Sequence, residues 1–219
     1  MQPNLAQVLN TLAHEIRSPL AVSQGYLKLL LDGRLTNADD TRRAFEQTRQ
    51  ALGLLSAMCV DMGKVSSLSE RGAQGVPQRI AAADFLTRLR AAGEIAPAGW
   101  PEPAVEAPTR AIETTNPDDL LQAVATVSKA AFDEAREGPH AMRAEAGDDL
   151  TVLAGVEPSL PALKGGPGAP GARPVDFGKG GKGLKLIWAA FVLDAHNVQT
   201  WTHAEYRASV GFRIPLVQA

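Results

Sequence analysis

His14 and Glu15 stand side by side in the run Leu12-Ala13-His14-Glu15-Ile16-Arg17-Ser18-Pro19-Leu20, close to the start of the 219-residue sequence. An imidazole beside a carboxylate on a solvent face is the arrangement needed to accept a phosphoryl group and pass it on. A neutral ring nitrogen is a competent nucleophile near neutral pH. Apolar residues recur at Leu5, Leu9, Leu12 and Ile16 with the three-and-four spacing of one helix face. Two residues along a helix amount to a rotation of about 200°, so His14 is expected to point away from Leu12 and Ile16. Ser18 lies one turn below it. Pro19 has no backbone N–H and crowds the preceding turn, which predicts a bend just below the histidine.

The elements that must hold this run are two long helices. The first is predicted over Asn4 to Leu31, closed by Gly33 as a left-handed cap. The second opens at Asn37, with Asp39 and Asp40 favourably placed against the helix dipole. Along it Phe45, Thr48, Leu52, Leu55, Cys59 and Met62 alternate spacings of three and four, the pattern of a coiled-coil seam. Cys59 on this seam reads as a small buried hydrophobe. An antiparallel hairpin of these helices would leave Leu54, Met58 and Val65 uncovered. Pairing two hairpins into a four-helix bundle would cover them and predicts a homodimer. The alternative is a hairpin packed on the rest of its own chain.

Residues 1–68 are therefore expected to form the helical hairpin, 69–77 a linker and 78–219 a second domain. In the last of these, short strands are predicted at Gln78 to Ile80, Arg110 to Glu113, Leu150 to Leu153, Val198 to His203 and Ser209 to Pro215. Helices are predicted through Ala92, over Pro117 to Glu134 behind an Asn116 cap, and over Leu184 to Ala195. Strands and helices without regular alternation give an α+β fold, one sheet under a layer of helices. Nine glycines fall between Gly155 and Gly183, and Gly165 to Gly171 reads as a flexible loop.

Composition narrows the function. A formal charge of −2 leaves no basic footprint, which disfavours nucleic acid as a partner. The single cysteine fits a reducing compartment. No signal peptide is visible at Met1 to Thr11, and the apolar stretch Leu186 to Leu193 is too short to cross a bilayer, so a cytoplasmic protein without a membrane span is expected. His140 is assigned to a polar loop and His196 to a helix C-terminus. Neither His140 nor His203 has metal-ligand spacing, and no metal site is predicted. Trp100, Trp188 and Trp201 read as core or interface anchors.

The run from His14 to Leu20 resembles the H box of the sensor histidine kinase superfamily, usually His-Glu-Leu/Ile-Arg-Thr-Pro-Leu, with Ser18 where threonine is commoner. Residues 78–219 are similar in order and spacing to the ATP-binding domain that follows it. Gly181-Lys182-Gly183-Leu184-Lys185-Leu186 resembles the second glycine box, Ala195-His196 the end of the helix after it, and Gly211-Phe212-Arg213-Ile214-Pro215-Leu216 the closing strand. The resemblance also implies two N-box asparagines, one of which holds Mg²⁺. They fall at Thr126 and Ala130. The adenine-reading aspartate should follow Leu150 to Leu153, where the sequence has Ala154-Gly155-Val156-Glu157. Asp176-Phe177-Gly178-Lys179-Gly180 spells that aspartate's motif but lies against the glycine box rather than after a strand, and reads as a chance match. Lys179, Lys182 and Lys185 read as a solvated cluster.

The expectation is a dimeric phosphorelay protein, a histidine phosphotransferase that has lost ATP chemistry and has no cofactor of its own. His14 would exchange a phosphoryl group with the aspartate of a response regulator receiver, and a hybrid histidine kinase is a possible donor. The resemblance implies that Glu15 accepts or orients the ring proton. Ser18 falls where receiver phosphatases of the family carry Thr or Asn to orient water. The receiver would bring its own Mg²⁺. Two alternatives stand beside this: an ATP-dependent autokinase with a divergent pocket, and a non-catalytic dimeric regulator that binds a kinase or receiver.

Overall fold

The computed structural model describes residues 4–71, 75–92, 110–134, 140–156, 159–177, 183–206 and 208–218. Two long helices come first, α1 (Leu5–Leu31) and α2 (Ala38–Arg71). Asn4 caps α1 by accepting the Gln7 N–H at 2.9 Å while the Gln7 side chain accepts the Asn4 N–H at 3.0 Å, so two otherwise unpaired donors are satisfied reciprocally. At the other end Gly33 adopts φ +64°. Its N–H reaches Leu30 O and that of Arg34 reaches Leu29 O, the paired bonds of a Schellman cap. Asn37 then caps α2 through the Asp40 N–H. Pro19 lies within α1, which continues through it to Leu31.

The rest is an α+β domain. In chain order it contains β1 (Gln78–Ala81), α3 (Ala82–Ala91), β2 (Arg110–Thr114), α4 (Pro117–Glu134), β3 (His140–Ala146), β4 (Asp149–Val156), α5 (Leu160–Leu163), β5 (Ala172–Pro174), α6 (Gly183–Ala195), β6 (Gln199–His203), β7 (Ser209–Pro215) and β8 (Val217–Gln218). Instead of one sheet there are two, a five-stranded sheet in the order β3-β4-β7-β6-β5 and a three-stranded one in the order β1-β2-β8. Every described pairing is antiparallel. Strand alternation fixes which face is which. Leu150, Val152 and Ala154 on β4, with Val210, Phe212 and Ile214 on β7, point into the core beneath α3, α4 and α6. Leu153 points the other way, into a small cluster with Leu160, Leu163 and Trp201.

That outer cluster corrects the reading of Gly165 to Gly171 as a flexible loop. The segment is a run of hydrogen-bonded turns: Gly166 N–H to Leu163 O, Ala169 to Gly166, Ala172 to Ala169, and Ala204 to Gly171. Glycine is needed at Gly166 and Gly171, whose φ values are +76° and +81°. The turns carry α5 and β5 across the outer face of the sheet. His140 is likewise no loop residue. It opens β3, paired with Val156, and its ring stacks on Phe132 with centroids 4.9 Å apart.

α6 decides how the hairpin is held. Apart from Lys185, every residue from Gly183 to Leu193 is buried. A helix that is apolar all round needs cover on all sides. The sheet and α4 supply one side and the open end of the hairpin the other, where Val8, Leu12, Met58, Met62, Val65 and Leu68 join the same core. Met58 and Val65, expected to lie exposed until a second hairpin arrived, are thus covered within the chain. The inward face of α1 is Val8, Pro19 and Ser23, while Leu5 and Leu9 are exposed. On α2 the inward residues are Ala44, Thr48, Ala51 and Val65. Phe45, Leu52 and Cys59 of the expected seam face solvent instead, as does Leu54. A helix with two apolar stripes can turn only one toward its single antiparallel partner. By length and composition α2 is also the one described helix apolar enough to cross a membrane, over Ala38–Leu68.

Candidate functional site

His14 and Ser18 project from α1 as exposed side chains one turn apart, with Glu15 half-buried between them. Glu15 falls seven residues after Val8 and four before Pro19, on the inward face of α1. The two members of the His-Glu pair therefore look in different directions, the imidazole to solvent and the carboxylate into the chain.

The Glu15 carboxylate reaches the first turn of α6, where its Oε2 accepts the Leu184 N–H at 3.3 Å. Amides of a helix's first turn have no partner within the helix and carry the positive end of its dipole, so a carboxylate satisfies both needs. Gly183 makes the approach possible. Its φ is +88°, and a Cβ there would lie 2.8 Å from Glu15 Oε2 and closer still to Oε1.

Burial pushes the Glu15 carboxyl above its ordinary 4.5, and Asp61 on α2 adds to this. The Leu184 hydrogen bond and the neighbouring His14 work against it. A carboxyl whose pKa is raised on folding holds its proton more tightly folded than unfolded. It therefore favours folding at low pH, and that contribution is lost as pH rises through the folded pKa. Glu15→Gln removes the ionised group and keeps an oxygen for Leu184. The variant is expected to melt no lower than the parent at pH 7, and the difference should change in the parent's favour as pH falls through the raised folded pKa toward the ordinary 4.5. Paired thermal melts at pH 7 and pH 4 check this.

Beside the contact lies a cleft of about 390 Å³ between the hairpin and the second domain, lined by Asp61 and Lys64 from α2, Gln122 and Thr126 from α4, and Lys185 and Trp188 from α6. Thr126 thus stands next to the hairpin. Ala130, one turn on, packs against the core. Gly181 lies outside the described residues, as do Lys179, Lys182, Glu157, Trp100 and the Gly178-Lys179-Gly180 part of the chance motif. Gly155 sits inside β4 opposite Ser209, where an added Cβ would meet Ser209 at 2.7 Å. Among the described residues no group of three or more His, Cys, Asp or Glu side chains could hold a metal ion.

His196 ends α6 as expected, with a further role. Its Nδ1 lies 2.7 Å from the Val192 carbonyl, which can only accept, so Nδ1 carries the proton. Nε2 then accepts the Thr114 hydroxyl at 2.8 Å, and the Thr114 oxygen accepts the Asn116 N–H. One ring joins the ends of α6, β2 and α4. His196→Ala is expected to cost about 1–3 kcal/mol by stranding partly buried partners, read as a lower denaturant midpoint.

The sequence of the hairpin carries the decisive likeness, because the His Kinase A (phospho-acceptor) domain matches residues 4–69. The hairpin is thus similar in sequence to the phospho-acceptor domain of histidine kinases. Solved structures agree on the fold. The Acinetobacter baumannii histidine kinase AdeS is 15% identical with a TM-score of 0.59, over 92% of this chain and 97% of that one. Full-length ShkA, solved in complex with AMPPNP, is 19% identical with a TM-score of 0.55, over 96% of this chain and 46% of that one. No curated protein matches the sequence.

Within this kinase-like chain the periodicity reading missed Leu184 and Asp61 as neighbours of the His-Glu pair. A signal was there. The run Leu184, Leu186, Ile187, Trp188, Ala189, Ala190 and Phe191 has no polar face, which requires a second covering layer. Glu15 shares its heptad position with Val8, which turns it toward that layer.

Proposed function

We propose that the chain is a two-component phosphorelay protein in which His14 receives a phosphoryl group from the aspartyl-phosphate of a response regulator receiver and returns it to another. A ring nitrogen of His14 attacks phosphorus, an N–P bond forms, and the acyl P–O bond breaks to release the receiver's carboxylate. The proton on the other ring nitrogen leaves to Glu15 once its carboxylate turns from the Leu184 amide toward the ring. Ser18, one turn away and exposed, is positioned to orient water for receiver dephosphorylation. Mg²⁺ belongs to the receiver in this reading. A hybrid histidine kinase is a suitable donor, and the cytoplasm a suitable location.

The observation that carries the reading is the Glu15 carboxylate on the Leu184 amide. The first turn of α6 is where a helix would hold an anionic phosphate, and the chain's own carboxylate already uses it. The remaining positions fit ATP and Mg²⁺ no better. Thr126 and Ala130 offer no carboxamide oxygen, and Gly155 is packed against the neighbouring strand. The exposed Leu5, Leu9, Leu27, Phe45, Leu52 and Leu54 support a homodimer joined through the hairpins, in keeping with the superfamily's habit of dimerising and acting on response regulators. The apolarity of α2 has its use in that interface.

Fold likeness to AdeS and ShkA equally favours the second reading, an ATP-dependent autokinase with a divergent pocket. One experiment separates them. Purified protein is offered either a ³²P-phosphorylated receiver or labelled ATP with Mg²⁺. Label from the receiver and none from ATP is expected. Labelling by ATP, together with thermal stabilisation of the order of 2.7 kcal/mol at about 100 times the dissociation constant, would establish the kinase instead.

A further inference from the structure

We propose that the contact between Glu15 and the first turn of α6 is an autoinhibitory latch: with the second domain docked on the hairpin the carboxylate is held inward, off the His14 ring, and opening of that interface releases it for phosphoryl transfer. The proposal rests on the phosphotransfer reading and adds its regulation.

His14 faces solvent, whereas Glu15 sits half-buried on the inward face of α1, where its Oε2 accepts the Leu184 N–H at 3.3 Å. Gly183 shapes the seat. Its φ of +88° and its lack of a Cβ leave the space that the carboxylate fills. Leu184 is 1% exposed, so a carboxylate that turned toward the ring with α6 in place would strand a buried donor, which is costly. Water reaches that amide only when α6 lifts from the hairpin. Release of Glu15 and opening of the interface are therefore coupled. The surfaces that part are Val8 and Leu12 of α1 and Met58, Met62 and Val65 of α2, all in one core with α6. A partner that binds the open form better than the docked one shifts the population toward transfer.

Two variants of the full chain test this. In Gly183→Ala the new Cβ would lie 2.8 Å from Glu15 Oε2 and displaces the carboxylate from its seat. Val65→Ala thins the interface from α2 without touching Glu15. Hydrogen–deuterium exchange at the Leu184 N–H reads the latch, and label uptake from a ³²P-phosphorylated receiver reads the chemistry. Both variants are expected to exchange faster at Leu184 and to take label about tenfold faster than the parent. In a Glu15→Gln background neither change should raise the rate, because no acceptor remains to be released. Where Gly183→Ala does not give the parent's circular dichroism, Val65→Ala decides. Uptake at or below the parent rate in the folded variants, acceleration without faster Leu184 exchange, or acceleration that persists with Glu15→Gln overturns the latch and leaves the phosphotransfer reading intact. No label in the parent or in either variant overturns both.

Discussion

Replacement of His14 by alanine is expected to abolish uptake of label from a phosphorylated receiver and to leave the fold unchanged. Transfer requires a nitrogen lone pair to form the N–P bond, and alanine offers none. His14 is exposed, so the substitution belongs with surface changes worth within about 0.5 kcal/mol. The expected result is therefore unusually clean: the same melting temperature, the same circular dichroism and no phosphorylated chain on a gel. By comparison Glu15→Gln keeps the nucleophile and loses the proton acceptor, for which a fall of about 10²–10⁴-fold is typical. The ordering of the two variants is itself informative. Label retained by His14→Ala would move the phosphoacceptor elsewhere, and unchanged signalling in cells carrying it, alongside binding to a receiver, would identify a non-catalytic regulator.

The largest expected effect on stability lies far from that site, at Trp201. Its side chain is 1% exposed and fills the outer face of the sheet between α5 and β7. Its Nε1–H donates to the Leu163 carbonyl at 3.1 Å, and Gly211 on β7 is without a side chain because the indole occupies that space. Trp201→Ala removes the anchor of the whole outer cluster and strands a carbonyl. The expected loss is about 3–5 kcal/mol. For a chain of this size that is roughly 6–20 °C in melting temperature, measurable by differential scanning calorimetry. A shift of under about 2 °C would mean that the turns from Gly165 to Gly171 are held by something other than this ring. Trp201→Phe keeps most of the apolar area and is expected to recover much of the loss.

Much of this was legible in the residues. The limits of α1, α2 and α4 follow from local chemistry: Asn4 with Gln7, Gly33 and Asn116 with Pro117 act within a few residues of themselves, so nothing distant can override them. Strands with strong alternation, such as β7, were equally plain. β3 was not, because Arg143 and Glu145 alternate with alanines and a methionine, and it becomes a strand only by pairing with β4. The glycine-rich turns after β4 were misread for a related reason. Their order comes from Trp201 and β6, which lie more than 25 residues further on in the sequence.

The sequence by itself determined the chemistry available, an exposed imidazole at His14 next to a carboxylate in an H-box run, and the α+β class behind it. Those facts are properties of residue type and short-range spacing. Only the tertiary structure decided that the carboxylate turns inward to the α6 amide, that Met58 and Val65 are covered within the chain, and that Phe45 and Leu52 are not. These depend on how a helix with two apolar stripes rotates between competing partners, an energy set by the fit of α6 against both layers. Periodicity along one strand of sequence counts the stripes, but the packing of three elements chooses between them.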